Sequence, residues 1–148
     1  MSIDGLSDAQ VKTILRTTKR IALVGASNKP ERASHHVMEF LLAHGFSVVP
    51  VNPGLAGGQL LGQRVVASLD EAAPLDMVDL FRNAAEVGPL VTKAVELGAK
   101  TIWMQLGVVN EEAAREARAA GLAVVMDRCP AIEIPRLEIP RLEIPASG

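Results

Sequence analysis

Five short, mostly apolar runs constrain this chain more than anything else in it. They occupy residues 21–24, 46–51, 77–81, 101–104 and 123–126. Each is too short for a helix and reads as a strand covered on both faces, where neither side meets water. Stretches of helical periodicity, roughly 10–15 residues long, lie between them. This alternation implies parallel pairing and right-handed crossovers. The expected fold class is α/β, a single Rossmann-like doubly wound domain with a parallel sheet of five strands or slightly more. A length of 148 residues suits one such domain, which buries about two-thirds of its unfolded surface.

Local signals place the helices. Ser7 and Gln10 have capping-box spacing, which predicts a helix over 8–17 with Val11, Ile14 and Leu15 inward. Ser34 is expected to cap a helix running through His44, with Val37, Met38, Leu41 and Leu42 inward and Gly45 as its stop. Ser68 and Glu71 read as a second capping box. Pro89 suits the first turn of a helix ending near Leu97. Asn110 caps a helix to Ala120, with Glu111 and Glu112 in its first turn. The glycine-rich residues 54–68 read as a loop with an edge strand near Val65. Trp103, Met104 and Met126 fall in the core by pattern.

The end of the chain departs from this rhythm. IEIP, RLEIP and RLEIP fill residues 132–145, with a proline at every fifth position. Proline removes a donor from a ladder and breaks a helix interior, so this segment is expected to be neither central strand nor helix. The predicted division is a domain over residues 1–137 and an extended tail over 138–148. That tail lies partly on its own domain or docks a protein partner.

Composition removes several function classes. Net charge is −2, which leaves no broad basic face for nucleic acid. Aromatic residues are 3% and tyrosine is missing, so base-stacking platforms are scarce. No apolar run approaches the length of about 18 residues that a membrane span needs. The first residues lack the charged and apolar regions of a leader. The single cysteine, Cys129, rules out an internal disulfide. A cytoplasmic protein is the expectation.

The stretch IALVGASNKPERASHH, residues 21–36, carries the strongest functional signal. A strand ends at Gly25, a polar loop follows, and a helix opens near Ser34. In open parallel sheets ligands sit at the carboxyl ends of strands where strand order reverses. Main-chain amides and a helix N-terminus there form an anion site. A purely structural turn does not account for the Ser27, Lys29, Arg32, Ser34 and His35 that the loop also carries. The dinucleotide pattern G-x-G-x-x-G reads here as Gly25-Ala26-Ser27-Asn28-Lys29-Pro30, and only its first glycine survives. Val51-Asn52-Pro53 ends the second strand, with no carboxylate for a ribose and no arginine for a 2′-phosphate. NAD and NADP are therefore disfavoured, while Val51 and Pro53 offer an apolar edge to a purine. No G-K-[ST] occurs, so a P-loop is excluded.

No reaction centre can be assembled. His35 and His36 point about 100° apart on a helix, and no metal set forms around them. Cys129 reads first as a packed small hydrophobe. The alternative is a reactive thiol with its pKa lowered by Arg128, and Asp127–Arg128 reads equally as a structural ion pair.

Gly25-Ala26-Ser27 with Pro30, Ser34-His35, VVPVNP at 48–53, VDLFR at 78–82, WMQLGV at 103–108, EEAA at 111–114 and VMDRC at 125–129 occur in this order. Together they resemble the small stand-alone CoA-binding proteins, whose fold is similar to the N-terminal CoA-binding domain of the succinyl-CoA synthetase alpha subunit. The resemblance covers about residues 7–137, and the RLEIP repeat lies beyond it. It implies coenzyme A or an acyl-CoA as the ligand. Gly25, Ala26 and Ser27 would hold the pyrophosphate through main-chain N–H groups and the Ser27 hydroxyl. Ser34 and His35 would add donors, and Lys29 and Arg32 are candidates for the 3′-phosphate. Val51, Asn52 and Pro53 would border the adenosine. Arg82 would pair a phosphate, and Phe81 would pack on the adenine or on the core. Gln105 and Gly107 would line the path of the pantetheine arm. The phosphohistidine chemistry of the synthetase belongs to a second domain and is not implied.

The reading is a binder without catalysis of its own: a carrier, sensor or regulator, alone, as a homo-oligomer or with a protein partner. Its rivals are an NAD(P)-dependent oxidoreductase, an acyl-CoA ligase component, and a protein-interaction module acting through the tail.

Overall fold

The computed structural model describes residues 2–142. Five parallel strands form the main sheet: β1 (Arg20–Val24), β2 (Ser47–Val51), β5 (Met77–Leu80), β6 (Thr101–Met104) and β7 (Ala123–Val125). Their spatial order is β2-β1-β5-β6-β7. Strands β3 (Gln59–Leu60) and β4 (Gln63–Arg64) form a separate antiparallel hairpin within the glycine-rich stretch. The chain therefore builds outward from β1 in one direction and then in the other. The reversal falls between β1 and β5, and their carboxyl ends open a crevice there.

Alternation along each strand supplies both faces with apolar side chains. Ala22, Val24, Val78, Leu80, Ile102 and Met104 face the layer of α3 (Leu69–Ala72), α4 (Val87–Glu96) and α5 (Glu111–Ala119). Ile21, Leu23, Met77, Trp103 and Val125 face α1 (Asp8–Thr17), α2 (Ala33–Ala43) and α6 (Pro130–Arg136). Trp103, Met104 and Met126 are core residues, as expected.

The capping box at Ser7 and Gln10 forms in both directions, and Asn110 Oδ1 accepts from Ala113 N at 2.9 Å. Two other caps differ from expectation. Ser34 does not cap α2: Arg32 holds that position, and Ser34 lies one residue inside the helix, buried. Ser68 precedes α3 without a side-chain cap bond, and Glu71 accepts from Ala67 N instead.

The larger correction concerns the proline repeat. Residues 130–136, expected to be extended from 132 onward, form α6. Pro130 opens the helix, where a missing N–H costs nothing. Pro135 sits one residue from the end, so few bonds lie beyond it to break. A Schellman closure follows, with Glu138 at φ 55, Glu138 N on Pro135 O at 3.1 Å and Ile139 N on Ile134 O at 3.0 Å. The five-residue period places Pro140 just past this stop. The chain then stays on the domain: Ile139 is buried, and Leu142 N donates to His44 O at 2.9 Å. The rest of the second RLEIP unit and residues 143–148 lie outside the described residues.

Strand β2 is an edge strand, and it holds Pro50. Pro50 directs its carbonyl away from β1 to accept from Val66 N at 3.0 Å, and Asn52 N returns a bond to Val66 O at 3.0 Å. The ring therefore removes no donor from the β1–β2 ladder.

Candidate functional site

Two clefts meet at the carboxyl ends of β1, β2 and β5, sharing Gly25, Arg82 and Glu86 in their walls. The first, about 600 Å³, lies over the loop after β1 and the start of α2. The second, about 460 Å³, is more apolar, with Val51, Pro53, Leu69 and Leu90 in its walls.

Gly25 is required by packing before any ligand is considered. Its φ is +90°, and a Cβ there would stand 2.3 Å from Phe81 O. Only glycine lets β1 and β5 end this close together. The turn amides are distributed differently from expectation. Gly25 N and Ala26 N both donate to Val51 O, at 3.1 and 3.4 Å. They fasten the turn to β2 and do not point free into the cleft. The amides of Ser27, Asn28, Ala33 and Ser34 have no partner among the described residues. The free donors thus begin at Ser27 and continue into the first turn of α2, where the helix dipole adds positive potential. Ser27 Oγ accepts from Lys29 N at 3.1 Å, shaping the loop.

Asn52 has a role that its position did not reveal. Its Nδ2 donates to Ala26 O at 2.7 Å, and its Oδ1 accepts from Gly54 N at 2.8 Å. The side chain ties the loop after β2 to the turn after β1. Asn52 therefore braces the site, and it lines the first cleft rather than the second.

The cations divide into two kinds. Lys29 and Arg32 are exposed and form no ion pair among the described residues. Arg82 is committed to Glu86, four residues on, through Nε and Nη2. The Arg82 guanidinium holds the Glu86 carboxyl below its ordinary range. Arg82 was expected on a phosphate, and here it forms part of the wall between the clefts. Glu86 escaped the sequence reading, although its i,i+4 spacing to Arg82 was visible.

The first cleft gathers Gly25, Ala26, Ser27, Lys29 and Arg32, and with them Ser34, Asn52, Phe81 and Arg82. Val51 and Pro53 lie in the second. Phe81 is half-buried and packs against the α1/α2 core. His35, Gln105 and Gly107 line neither cleft. His35 is half-buried on α2. Gly107 is exposed, and its N–H is held by Asp127 Oδ1 at 2.8 Å. Gln105 is buried and donates from Nε2 to Asp79 Oδ1 at 2.8 Å.

Asp79 stands in the VDLFR run, but the sequence reading does not single it out. It is fully buried in β5, and its Oδ2 has no partner among the described residues. Burial pushes its pKa up to about 7, against the opposing pull of the Gln105 amide.

Cys129 follows the packed reading, and the Arg128-activated alternative does not form. Arg128 turns away from it to Asp4 and Glu133. Burial pushes the thiol pKa up, and the charges of Asp79 and Glu133 add to the rise. Cys129 behaves as a packed small residue. Asp127 pairs with Gly107 N rather than with Arg128. Among the described residues no three His, Cys, Asp or Glu side chains group to hold a metal ion, and no helix is long and apolar enough to cross a membrane.

Comparison with known proteins bears on the family and the fold. The family model described as a CoA binding domain matches residues 19–135. YneT of Bacillus subtilis (strain 168) is 39% identical over 124 residues, covering 83% of this chain and 90% of its own. The solved structure of a hypothetical protein from Pyrococcus horikoshii OT3 superposes with a TM-score of 0.88 at 42% identity, over 93% of this chain and 96% of that one. A dinucleotide-forming acetyl-coenzyme A synthetase of Candidatus Korarchaeum cryptofilum shares the fold, with a TM-score of 0.65 at 21% identity. That match spans 76% of this chain and 27% of the synthetase.

Proposed function

This chain belongs to the CoA binding domain family, and from that premise we propose that it binds coenzyme A or an acyl-CoA in the paired clefts. The binding unit is residues 1–137. The diphosphate sits over the free amides of Ser27, Asn28, Ala33 and Ser34, with Ser27 Oγ beside it. Lys29 and Arg32 take the 3′-phosphate, and His35 adds a donor from the first turn of α2. The purine enters the apolar cleft against Val51 and Pro53. Gly25, Ala26 and Asn52 hold the turn in shape, while Phe81 and Arg82 wall it. Gln105 and Gly107 border the course of the pantetheine arm along the sheet edge. The protein acts as a carrier, sensor or regulator in the cytoplasm and not as a catalyst.

One observation supports this reading: four amides and two cations without partners among the described residues line one cleft at the strand-order reversal. Charge-assisted bonds to phosphate contribute about 1.5–3 kcal/mol each. Thermal unfolding with CoA, NAD, NADP and ATP in parallel tests it. CoA at about 100 times its Kd should stabilise the fold by about 2.7 kcal/mol. Stabilisation by NAD with none by CoA would overturn the reading in favour of a dinucleotide enzyme.

A further inference from the structure

The exposed apolar side chains of this molecule are not scattered. Four large hydrophobics stand exposed among the described residues, and three of them ring one cleft: Ile3 at 55%, Leu106 at 57% and Ile132 at 52%. The cleft measures about 520 Å³ and opens past the carboxyl ends of β6 and β7, between the N-terminal segment and α6. Buried Met126 and Cys129 contribute to its lining. A concentrated apolar rim with polar surroundings marks a binding site more often than chance.

The charges around this cleft are already committed. Arg128 holds Asp4 at 2.8 Å and Glu133 at 2.6 Å. Arg136 holds Glu133 at 2.8 Å and Asp8 at 3.0 Å. Asp127 adds a further carboxylate. Two guanidinium groups thus stand among four carboxylates, those of Asp4, Asp8, Asp127 and Glu133. Among the described residues that line the cleft, no cation remains to receive an anionic group.

Distance links this cleft to the site at β1. The order β1-β5-β6-β7 gives three inter-strand steps from one to the other, about 14 Å at the usual strand spacing. The arm between the diphosphate and the sulfur of coenzyme A has about a dozen single bonds. That equals four extended residues, again about 14 Å. A ligand anchored at α2 and running along the sheet edge delivers its sulfur to the rim formed by Leu106.

We propose that this cleft receives the acyl group of a CoA thioester, and that it selects a neutral aliphatic acyl chain over a dicarboxylic one. The proposal rests on the CoA reading above. Leu106, Ile132 and Ile3 cover the chain, and the surplus of carboxylates repels a terminal acid.

Isothermal titration calorimetry on the full chain with CoA, acetyl-CoA, butyryl-CoA and succinyl-CoA tests this. Each methylene between acetyl and butyryl should tighten Kd by about two- to fourfold. Succinyl-CoA should bind about tenfold more weakly than butyryl-CoA. Ile3→Ser and Ile132→Ser alter exposed side chains that the CoA part of the ligand does not reach, so they should leave CoA affinity unchanged and abolish the butyryl advantage. Equal affinity for all four ligands, or a preference for succinyl-CoA, overturns the proposal while the CoA reading stands. Failure of CoA and every thioester to bind overturns both. Sedimentation supplies the remaining outcome. A dimer that these two variants dissolve, without acyl preference, assigns the rim to a second copy of this chain and overturns the proposal.

Discussion

The two ends of the sheet's carboxyl edge treat charge in opposite ways. At β1, Lys29 and Arg32 stand unpaired beside free amides, so the fold leaves positive potential open to solvent. At β7, Arg128 and Arg136 are locked among Asp4, Asp8 and Glu133, so the same residue types stitch the N-terminal segment to α6. Uncommitted charge is available to a ligand and does little for stability. Committed, buried charge does the reverse. The sign of a residue therefore says less about its function than whether its partner is already in the chain.

The widest break in that contrast comes from Arg128→Met. It leaves Asp4 buried without its cation and Glu133 with Arg136 alone, with an expected loss of about 3–5 kcal/mol in urea unfolding at neutral pH. The same region sets the acid limit. Burial pushes the Asp4 carboxyl up, but Arg128 and the N–H groups of Leu6 and Met126 more than offset this and hold it at about 2, against 3.8 ordinarily. A depressed carboxylate stabilises the fold above its unfolded pKa. Stability should therefore fall between about pH 4 and pH 2, and Arg128→Met should blunt that fall.

Asp79 sharpens the contrast from between the two regions, as a buried carboxyl with no cation at all. Its raised pKa gives the opposite sign: the folded state keeps the proton longer, so stability should decline from about pH 4 to pH 7. Asp79→Asn keeps an acceptor for Gln105 and removes the charge. Its unfolding free energy should gain about 2–4 kcal/mol on wild type between pH 4 and pH 8. Parallel curves for the two proteins would refute this.

The smallest effect on stability belongs to the open cations. Lys29→Ala and Arg32→Ala should each change unfolding by no more than about 0.5 kcal/mol. Each should weaken CoA by about tenfold or more, with a shallower salt dependence. A large loss of stability would show that these side chains are committed after all.

Much of this architecture is legible in the residues. Continuous apolar runs mark the buried strands, and Ser7, Gln10 and Asn110 mark helix starts, because these signals are local. Gly25 is visible as a turn, but its reason, the approach of Phe81 O, involves a strand more than fifty positions away. The same holds for Asn52 on Ala26 O and for Arg128 on Asp4, which depend on partners that only folding brings together. Pro135 misleads for a related reason: a proline forbids a helix interior but not its last turn, and sequence alone does not say where that turn falls. Asp79 is legible as an acid inside a strand covered on both faces, but its bond from Gln105 and its unpartnered Oδ2 depend on a residue of the next strand's end.

The return of Val66 onto Pro50 and Asn52 has a bearing on how the protein behaves in a crowded solution. An open β2 would offer its outer amides and carbonyls to the same strand of a neighbouring molecule, the usual start of stacking into aggregates. A ring without an N–H, capped by its own downstream chain, closes that side of the ribbon and keeps neighbouring molecules from zipping together there.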